Sequence, residues 1–293
     1  MEDGKNERKE GKRNYSVKTG AIMLKPVPNI TSWGKLYDYW VNGYTAFEPT
    51  QGYADNCYFI AALSSVAWAA PVKIKNKTAI QIFNPDNIGS YTTFNFVENK
   101  PYTENIPLNS GKIIFARSEP AGDSWPSLYE KAYAIFKSGD LTNDRPNIGA
   151  LPKGDGVSAL KSIMGSTRTN NGDIPAANVI FNTSSTPPIV SPPTYANGKT
   201  MYPTVAWTNN RTDLPAGIYA DHTYSFFGFY KSGNKVYVIL RNPYGAQFPV
   251  FNGGYGLSGN WNGINLAMFG NGVFAMELGA FRNSFFAVNY VMP

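Results

Sequence analysis

The chain has 293 residues, 43% of them hydrophobic and 16% charged, and this balance excludes an intrinsically disordered protein. The net charge of +6 is scattered outside the N-terminus, so it does not predict a nucleic-acid-binding surface. The single cysteine excludes an intrachain disulfide and a structural zinc site, and no apolar stretch reaches the roughly 18 residues that span a membrane.

The N-terminal half of the sequence predicts an extension followed by a helical lobe. Residues 1–44 read as an extension or strap, with a mixed-charge run at 1–13 that is typical of disorder. No secretory signal is readable there, which leaves the compartment open between secretion after signal removal and the cytoplasm. Residues 45–182 predict a mainly helical lobe, with helices over 57–70, 124–138 and 156–165.

The first of these helices has the clearest boundaries. Asp55 and Asn56 are residue types that cap helices, and Pro71 follows the last turn. The segment is apolar nearly all round, which predicts a buried central helix with Cys57 at its N-terminus.

The C-terminal half changes to a strand pattern. Residues 183–203 are rich in Pro, Ser and Thr and predict a connection, and residues 204–293 predict a β-rich lobe. Residues 222–230 and 235–241 read as a hairpin around a turn at 231–234. Counting outward from that turn places His222 opposite residue 243, or opposite Asn242 after a slip of one, so we expect His222 and Asn242 to be neighbours.

Four polar residues predict nucleophilic catalysis by a thiol. Cys57 and His222 are the only cysteine and the only histidine. The helix N-terminus favours a thiolate at Cys57, His222 can serve as its base, and an Asn242 carboxamide would fix the imidazole. Gln51, six residues before Cys57, can complete an oxyanion hole with the Cys57 N–H.

Several motifs around these residues resemble the protease core of the calpain family, from about residue 45 to the C-terminus. They are QGYADNCYF at 51–59, LYEKAYA at 128–134, HTYS at 222–225, LRNPYG at 240–245 and GVFAM at 272–276. The order Cys, His, Asn is shared with papain, whereas the EKAYA helix and the RNP-aromatic-Gly motif favour calpain.

The resemblance implies an α+β, papain-like fold of two lobes, with Cys57 in an α-rich lobe and His222 and Asn242 in a β-rich lobe. It implies a cysteine endopeptidase that hydrolyses peptide bonds through a thioester. We expect protein or peptide substrates, no nucleic-acid partner, no membrane span and a monomer.

The sequence departs from the family pattern near the reactive residues. Asp55 and Asn56 replace Gly-Asp, and Asp221 replaces the glycine before the histidine, where it is expected to narrow the site or change substrate preference. Tyr244 stands where the family has tryptophan, and we expect it to shield the site. Trp261 is predicted to pack over the His222–Asn242 pair.

Calcium is implied by the resemblance, with one ion in each lobe. Glu48 and Glu130 stand at ligand positions of the first lobe, whereas Asn271 and Val273 replace the acidic pair of the second. Because calcium takes several oxygen ligands, we predict that the second site is lost, that the first is at best weak, and that no cofactor is required. The sequence contains no EF-hand loop, which predicts a minimal form of the family.

Two other functions remain open at this point. The same thioester could serve acyl transfer, such as transglutamination or ligation. The altered residues around Cys57 and His222 would also suit a catalytically degenerate protease fold that acts as a binding protein.

Overall fold

The structure is a computed structural model that describes residues 26–39, 45–75, 79–87, 89–96, 101–119, 122–169, 198–208, 210–245, 260–262, 264–265 and 272–293. The predicted disordered run at 1–13, most of the predicted connection at 183–203, and Asn271 lie outside these residues. The described helices are α1 (Cys57–Ala69), α2 (Trp125–Ser138), α3 (Gly156–Met164) and α4 (Leu278–Ser284). None of them is long and apolar enough to cross a bilayer.

The described strands are short in the first lobe and longer in the second. The first lobe contains β1 (Ser32–Gly34), β2 (Pro49–Thr50), β3 (Ile80–Phe83), β4 (Tyr91–Phe94), β5 (Ile106–Asn109), β6 (Lys112–Ile113) and β7 (Arg117–Ser118). The second contains β8 (Thr204–Thr208), β9 (Thr223–Ser232), β10 (Lys235–Arg241), β11 (Asn260–Trp261), β12 (Ile264–Asn265), β13 (Val273–Glu277) and β14 (Phe285–Tyr290).

Helix α1 is the buried central helix that the sequence predicts. All of its residues except Ala69 are buried, because the segment is apolar on every side. Asn56 takes the N-cap position, but its side chain makes no cap hydrogen bond; its carboxamide donates instead to Glu130 Oε1 at 2.7 Å. The helix therefore begins at Cys57 with its first backbone N–H groups uncovered by a side-chain cap.

A five-stranded antiparallel sheet, in the order β13-β10-β9-β8-β14, forms the second lobe. Successive side chains of a strand point to opposite faces, so the sheet has two apolar surfaces. One, with Phe227 and Ile239, shares a core with α1, and the other, with Phe226 and Leu240, packs with Phe281 of α4. The larger core is therefore continuous between the two lobes.

The hairpin register differs from the prediction. Ser232 faces Lys235, so the turn consists of Gly233 and Asn234. Its centre lies between these two residues and not between Ser232 and Gly233. A bulge between Ile239 and Leu240 then moves the register back by one residue, which brings Leu240 opposite Phe226. The two changes partly compensate each other, and the ends of the hairpin meet close to where the sequence predicts.

The prediction of a mainly helical first lobe is incomplete. Three small sheets accompany its helices, in the orders β1-β5-β6, β2-β7 and β3-β4. Their strands have two to four residues each, too few for an alternating pattern to stand out in the sequence.

Candidate active site

Cys57 opens α1 at the wall of a cavity that lies between the two lobes. Its side chain is 8% exposed, and the cavity of about 920 Å³ is also lined by His222. The first lobe contributes the N-termini of α1 and α3, and the second contributes the sheet around β8, β9 and β14. The structure thus brings the only cysteine and the only histidine to one cavity.

The predicted contact between His222 and Asn242 is present. His222 directly precedes β9 and Asn242 directly follows β10, and His222 Nε2 lies 3.0 Å from Asn242 Oδ1. The same oxygen accepts from Tyr244 N at 3.0 Å, and Asn242 N donates to Gly272 O at 2.9 Å. Because the amide oxygen can only accept, Nε2 carries the proton, and the Nδ1 lone pair is left as the basic site.

Aromatic rings enclose the imidazole. Tyr244 stacks on His222 with 4.6 Å between ring centroids, and Tyr224 meets it edge-on at 4.9 Å. The edge of Tyr219 lies at 5.8 Å. These rings exclude water from the imidazole, which supports the predicted shielding role of Tyr244.

The predicted placement of Trp261 is wrong. Its ring stacks on Trp68 at 5.8 Å, near the C-terminal end of α1. At 1.5 Å per residue, Trp68 is about 16 Å along the helix from Cys57. Trp261 therefore packs at the opposite end of α1 from the reactive residues, and the tyrosines enclose His222.

Burial favours the neutral form of both reactive groups. It raises the pKa of Cys57 to about 11, against hydrogen bonds from Thr223 and from the Tyr58 backbone that lower this pKa. It also lowers the pKa of His222 to about 4, although Asn242 raises that pKa through its hydrogen bond. Desolvation therefore opposes the predicted thiolate more strongly than the local hydrogen-bond donors favour it.

Gln51 is held in the turn that leads to Cys57. Its Nε2 donates to Ala54 O at 2.6 Å, and its backbone N donates to Pro243 O at 2.7 Å. Its Oε1 is buried without a hydrogen-bond partner among the described residues. The second hydrogen of the Nε2 group remains for another acceptor, and the role of Gln51 in an oxyanion hole stays a prediction.

Asp221 lines the cavity with an unusual backbone conformation. Its φ is 49°, in the left-handed region that favours glycine and tolerates aspartate. This conformation explains why a glycine would suit this position, and it leaves an exposed carboxylate beside His222.

Glu48 and Glu130 do not form a site that fits calcium. Glu130 accepts from Asn56 Nδ2 at 2.7 Å and from Ala116 N at 2.8 Å, and Glu48 accepts from Trp125 Nε1 at 2.7 Å. Burial raises the pKa of both carboxyls, that of Glu130 to about 7. No group of three or more His, Cys, Asp or Glu side chains in the described part of the chain could hold a metal ion.

Most of the cavity wall is absent from the sequence prediction, and Thr223, Trp207 and Asn289 are three of the residues that it missed. Asn289 is the one with a readable signal, because it is a polar residue within the otherwise apolar strand segment 285–290. Trp207 and Thr223 have the β-rich composition of any strand, and only the tertiary structure brings them to the cavity.

Comparison with known proteins gives one family. The family model that matches is described as calpain family cysteine protease, and the match covers residues 28–291. The thiol protease of Porphyromonas gingivalis is 31% identical over 268 residues, which are 82% of this chain and 54% of that protein. Calpain-5 of Mus musculus is 30% identical over 104 residues, which are 32% of this chain and 16% of calpain-5. The chain therefore spans about half the length of the bacterial relative.

Proposed function

Because this chain belongs to the calpain family of cysteine proteases, we propose that it cleaves peptide bonds within proteins or peptides, with Cys57 as the nucleophile. The observation that best supports this proposal is the 3.0 Å contact between His222 Nε2 and Asn242 Oδ1, beside a cavity that Cys57 also lines. A thiol, a base and a residue that orients the base are the parts that thioester catalysis needs.

The neutral resting pair makes proton transfer part of the attack. As the Cys57 sulfur bonds to the substrate carbonyl carbon, the thiol proton moves to Nδ1 of His222. The tetrahedral intermediate then collapses, the C–N bond breaks, and the same proton passes to the departing amine. Water next attacks the thioester with His222 as its base, which releases the acid and restores the thiol. Asn242 keeps the ring in place throughout.

The developing oxyanion needs hydrogen-bond donors near the sulfur. The Cys57 backbone N–H lies at the start of α1, where helix N–H groups have no intrahelical acceptor. The remaining Nε2 hydrogen of Gln51 is the second donor in this proposal, and the bond to Ala54 would hold its carboxamide in position.

Active-site labelling tests the proposal. An epoxysuccinyl inhibitor should add to the folded protein once per chain, and Cys57→Ala should abolish the adduct in an intact-mass measurement. His222→Ala should slow labelling at least about a hundredfold, because general-base assistance contributes that much. Peptide-library cleavage, with Cys57→Ala as the control, then reports hydrolysis.

Three other results would each redirect the assignment. A folded protein whose Cys57 does not react would indicate a binding protein built on a protease fold. Incorporation of an added amine into peptides without net hydrolysis would indicate acyl transfer. Labelling that is equally fast in His222→Ala would remove His222 from the role of base.

We also propose that no metal ion is required. The support is that Glu48 and Glu130, the two residues at the family's ligand positions, accept hydrogen bonds from within the chain. Asn56, which replaces the family's aspartate before the cysteine, supplies one of these donors.

A further inference from the structure

Asn289 is a buried polar residue in the cavity wall, away from the four residues of the proposed chemistry. Its side chain is 4% exposed, it lies on β14, and it lines the cavity. Its carboxamide makes no hydrogen bond with any described residue. The polar atoms of this amide open onto the cavity, so they are available to a hydrogen-bonding group of a ligand.

The walls around this part of the cavity are apolar. Asn289 pairs with Val205 and Ala287 with Trp207 in the β8–β14 register, so the polar residue lies beside an indole ring. Trp207 meets Phe286 edge-on at 5.8 Å, and Phe286 is 42% exposed. Val157 of α3 also lines the cavity. Such walls suit the methylene stem of a long side chain.

The cavity is acidic in a chain whose net charge is positive. Among the described residues, its lining includes Asp55, Asp155 and Asp221 but only one cation, Lys153. Lys153 Nζ lies 3.7 Å from Asp55 Oδ2, so its charge is already matched. Asp155 is the N-cap of α3 and accepts from Val157 N and Ser158 N. Asp221 forms no hydrogen bond or ion pair with the described residues and is the free carboxylate of the wall.

From these three features we propose that the cavity selects polypeptides carrying a basic side chain, lysine or arginine, near the bond that is cleaved. The stem packs against Trp207 and Phe286, the cationic end donates to the Asn289 amide oxygen, and Asp221 supplies the opposing charge. An arginine or lysine end group has only donors, so it complements the Asn289 acceptor, while Asp221, on the other side of β8, adds negative charge to the same cavity. This assignment rests on the proposed function and names its substrate class.

Substrates that differ only in charge give the sharpest test. Short capped fluorogenic peptides would carry arginine, citrulline, lysine or norleucine at each position around the cleaved bond. Citrulline has nearly the shape of arginine but no charge. At one position we expect kcat/KM to be about tenfold higher for arginine than for citrulline, the size of one charge-assisted hydrogen bond.

Substitutions test which residues cause the preference for arginine over citrulline. Asp221→Asn tolerates the same backbone conformation and should lower the arginine-to-citrulline ratio about threefold. Asn289→Leu should lower the ratio toward one, and Asn289→Asp should raise it. Asp86→Asn is the matched control, because Asp86 is an exposed aspartate in the β3–β4 connection outside the cavity lining, and its ratio should equal that of the wild type.

Binding separates this inference from the proposed chemistry. The anisotropy of labelled arginine and citrulline peptides, measured with Cys57→Ala, reports the preference without catalysis. Preferential arginine binding with no cleavage by the wild type would overturn the proposed function and keep the inference. A ratio near one at every position, in cleavage and in binding, would overturn the inference. So would a ratio that Asp221→Asn and Asn289→Leu leave unchanged.

Discussion

Glu130 of α2 carries a carboxyl group with no exposure to solvent. It accepts from the side chain of Asn56, the residue that precedes Cys57. Burial raises its pKa from 4.5 to about 7. Between those values the folded state binds more protons than the unfolded state, so the stability that Glu130 contributes is present in acid and is lost as the pH rises through about 7.

Replacement of Glu130 by glutamine should remove this pH dependence. The free energy of unfolding of the wild type minus that of Glu130→Gln should decrease as the pH is raised from 4.5 to 7. The decrease should reach up to about 3 kcal/mol. Urea unfolding at several pH values measures it. His222, with its lowered pKa, changes stability in the opposite direction over an overlapping range, but it is common to both proteins and cancels in the difference. A difference independent of pH would contradict the prediction.

At the residue scale, the sequence predicts identities better than it predicts protonation states. Cys57, His222 and Asn242 can be chosen from residue type and spacing. The pKa of Cys57 cannot, because it depends on how completely the folded chain removes the thiol from water. Trp261 has the right residue type for a shield, but it lies at the other end of α1.

Arg241 joins two elements that belong to different lobes. It ends β10 with no exposed surface, and it donates to Phe47 O, Pro49 O and Ser64 Oγ. These acceptors lie before β2, in β2 and on α1. Burial lowers its pKa to about 9, so it still carries a charge at neutral pH. The residue that follows it is Asn242, so Arg241 also fixes where the hairpin ends.

Substitution of Arg241 by methionine should be strongly destabilising. It keeps the apolar stem but leaves two buried acceptors and one partly buried acceptor without their donor, which should lower the free energy of unfolding by about 3–5 kcal/mol. The denaturant midpoint measures this change, provided the slope is constant. Arg211→Met is the control, since Arg211 is exposed and pairs with Asp213, and its midpoint should barely move. Equal midpoints for the two variants would show that the buried contacts do not stabilise the fold.

At the element scale, the hairpin could be predicted and its details could not. Strong β-formers on both sides of Ser232 and Gly233 indicate two paired strands. The bulge between Ile239 and Leu240 leaves no sequence signal of its own, although it brings Arg241 and Asn242 into position. The short strands of the first lobe depend on tertiary pairing, such as that of Thr50 with Arg117.

The whole molecule is held together across its two lobes by apolar packing. Helix α1 belongs to the first lobe, yet its residues share one core with Phe227 and Ile239 of the sheet. Direct hydrogen bonds cross the same boundary, from Ser65 Oγ to Thr204 O at 2.6 Å and from Ser225 Oγ to Ala61 O at 2.8 Å. This continuity would align the lobes without an added ion.

Calcium should therefore change neither stability nor cleavage. Thermal unfolding and peptide cleavage are compared in a chelator and in about 5 mM calcium chloride, a concentration that would saturate a weak site. Magnesium chloride at equal ionic strength is the control for non-specific effects. A melting temperature that rises with calcium alone would reveal binding to the folded state, and cleavage only with calcium would contradict the metal-independent mechanism.

Cys57, the single cysteine of the chain, also determines how the protein reacts with oxidants. Peroxides react with thiolates, so a thiol whose pKa is raised to about 11 is oxidised slowly while the cavity is empty. Once a sulfenic acid does form, no second cysteine in the chain can resolve it to a disulfide. An external thiol can then reduce it before irreversible oxidation to the sulfinic acid. The burial of Cys57 should therefore also protect the resting protein from oxidative inactivation.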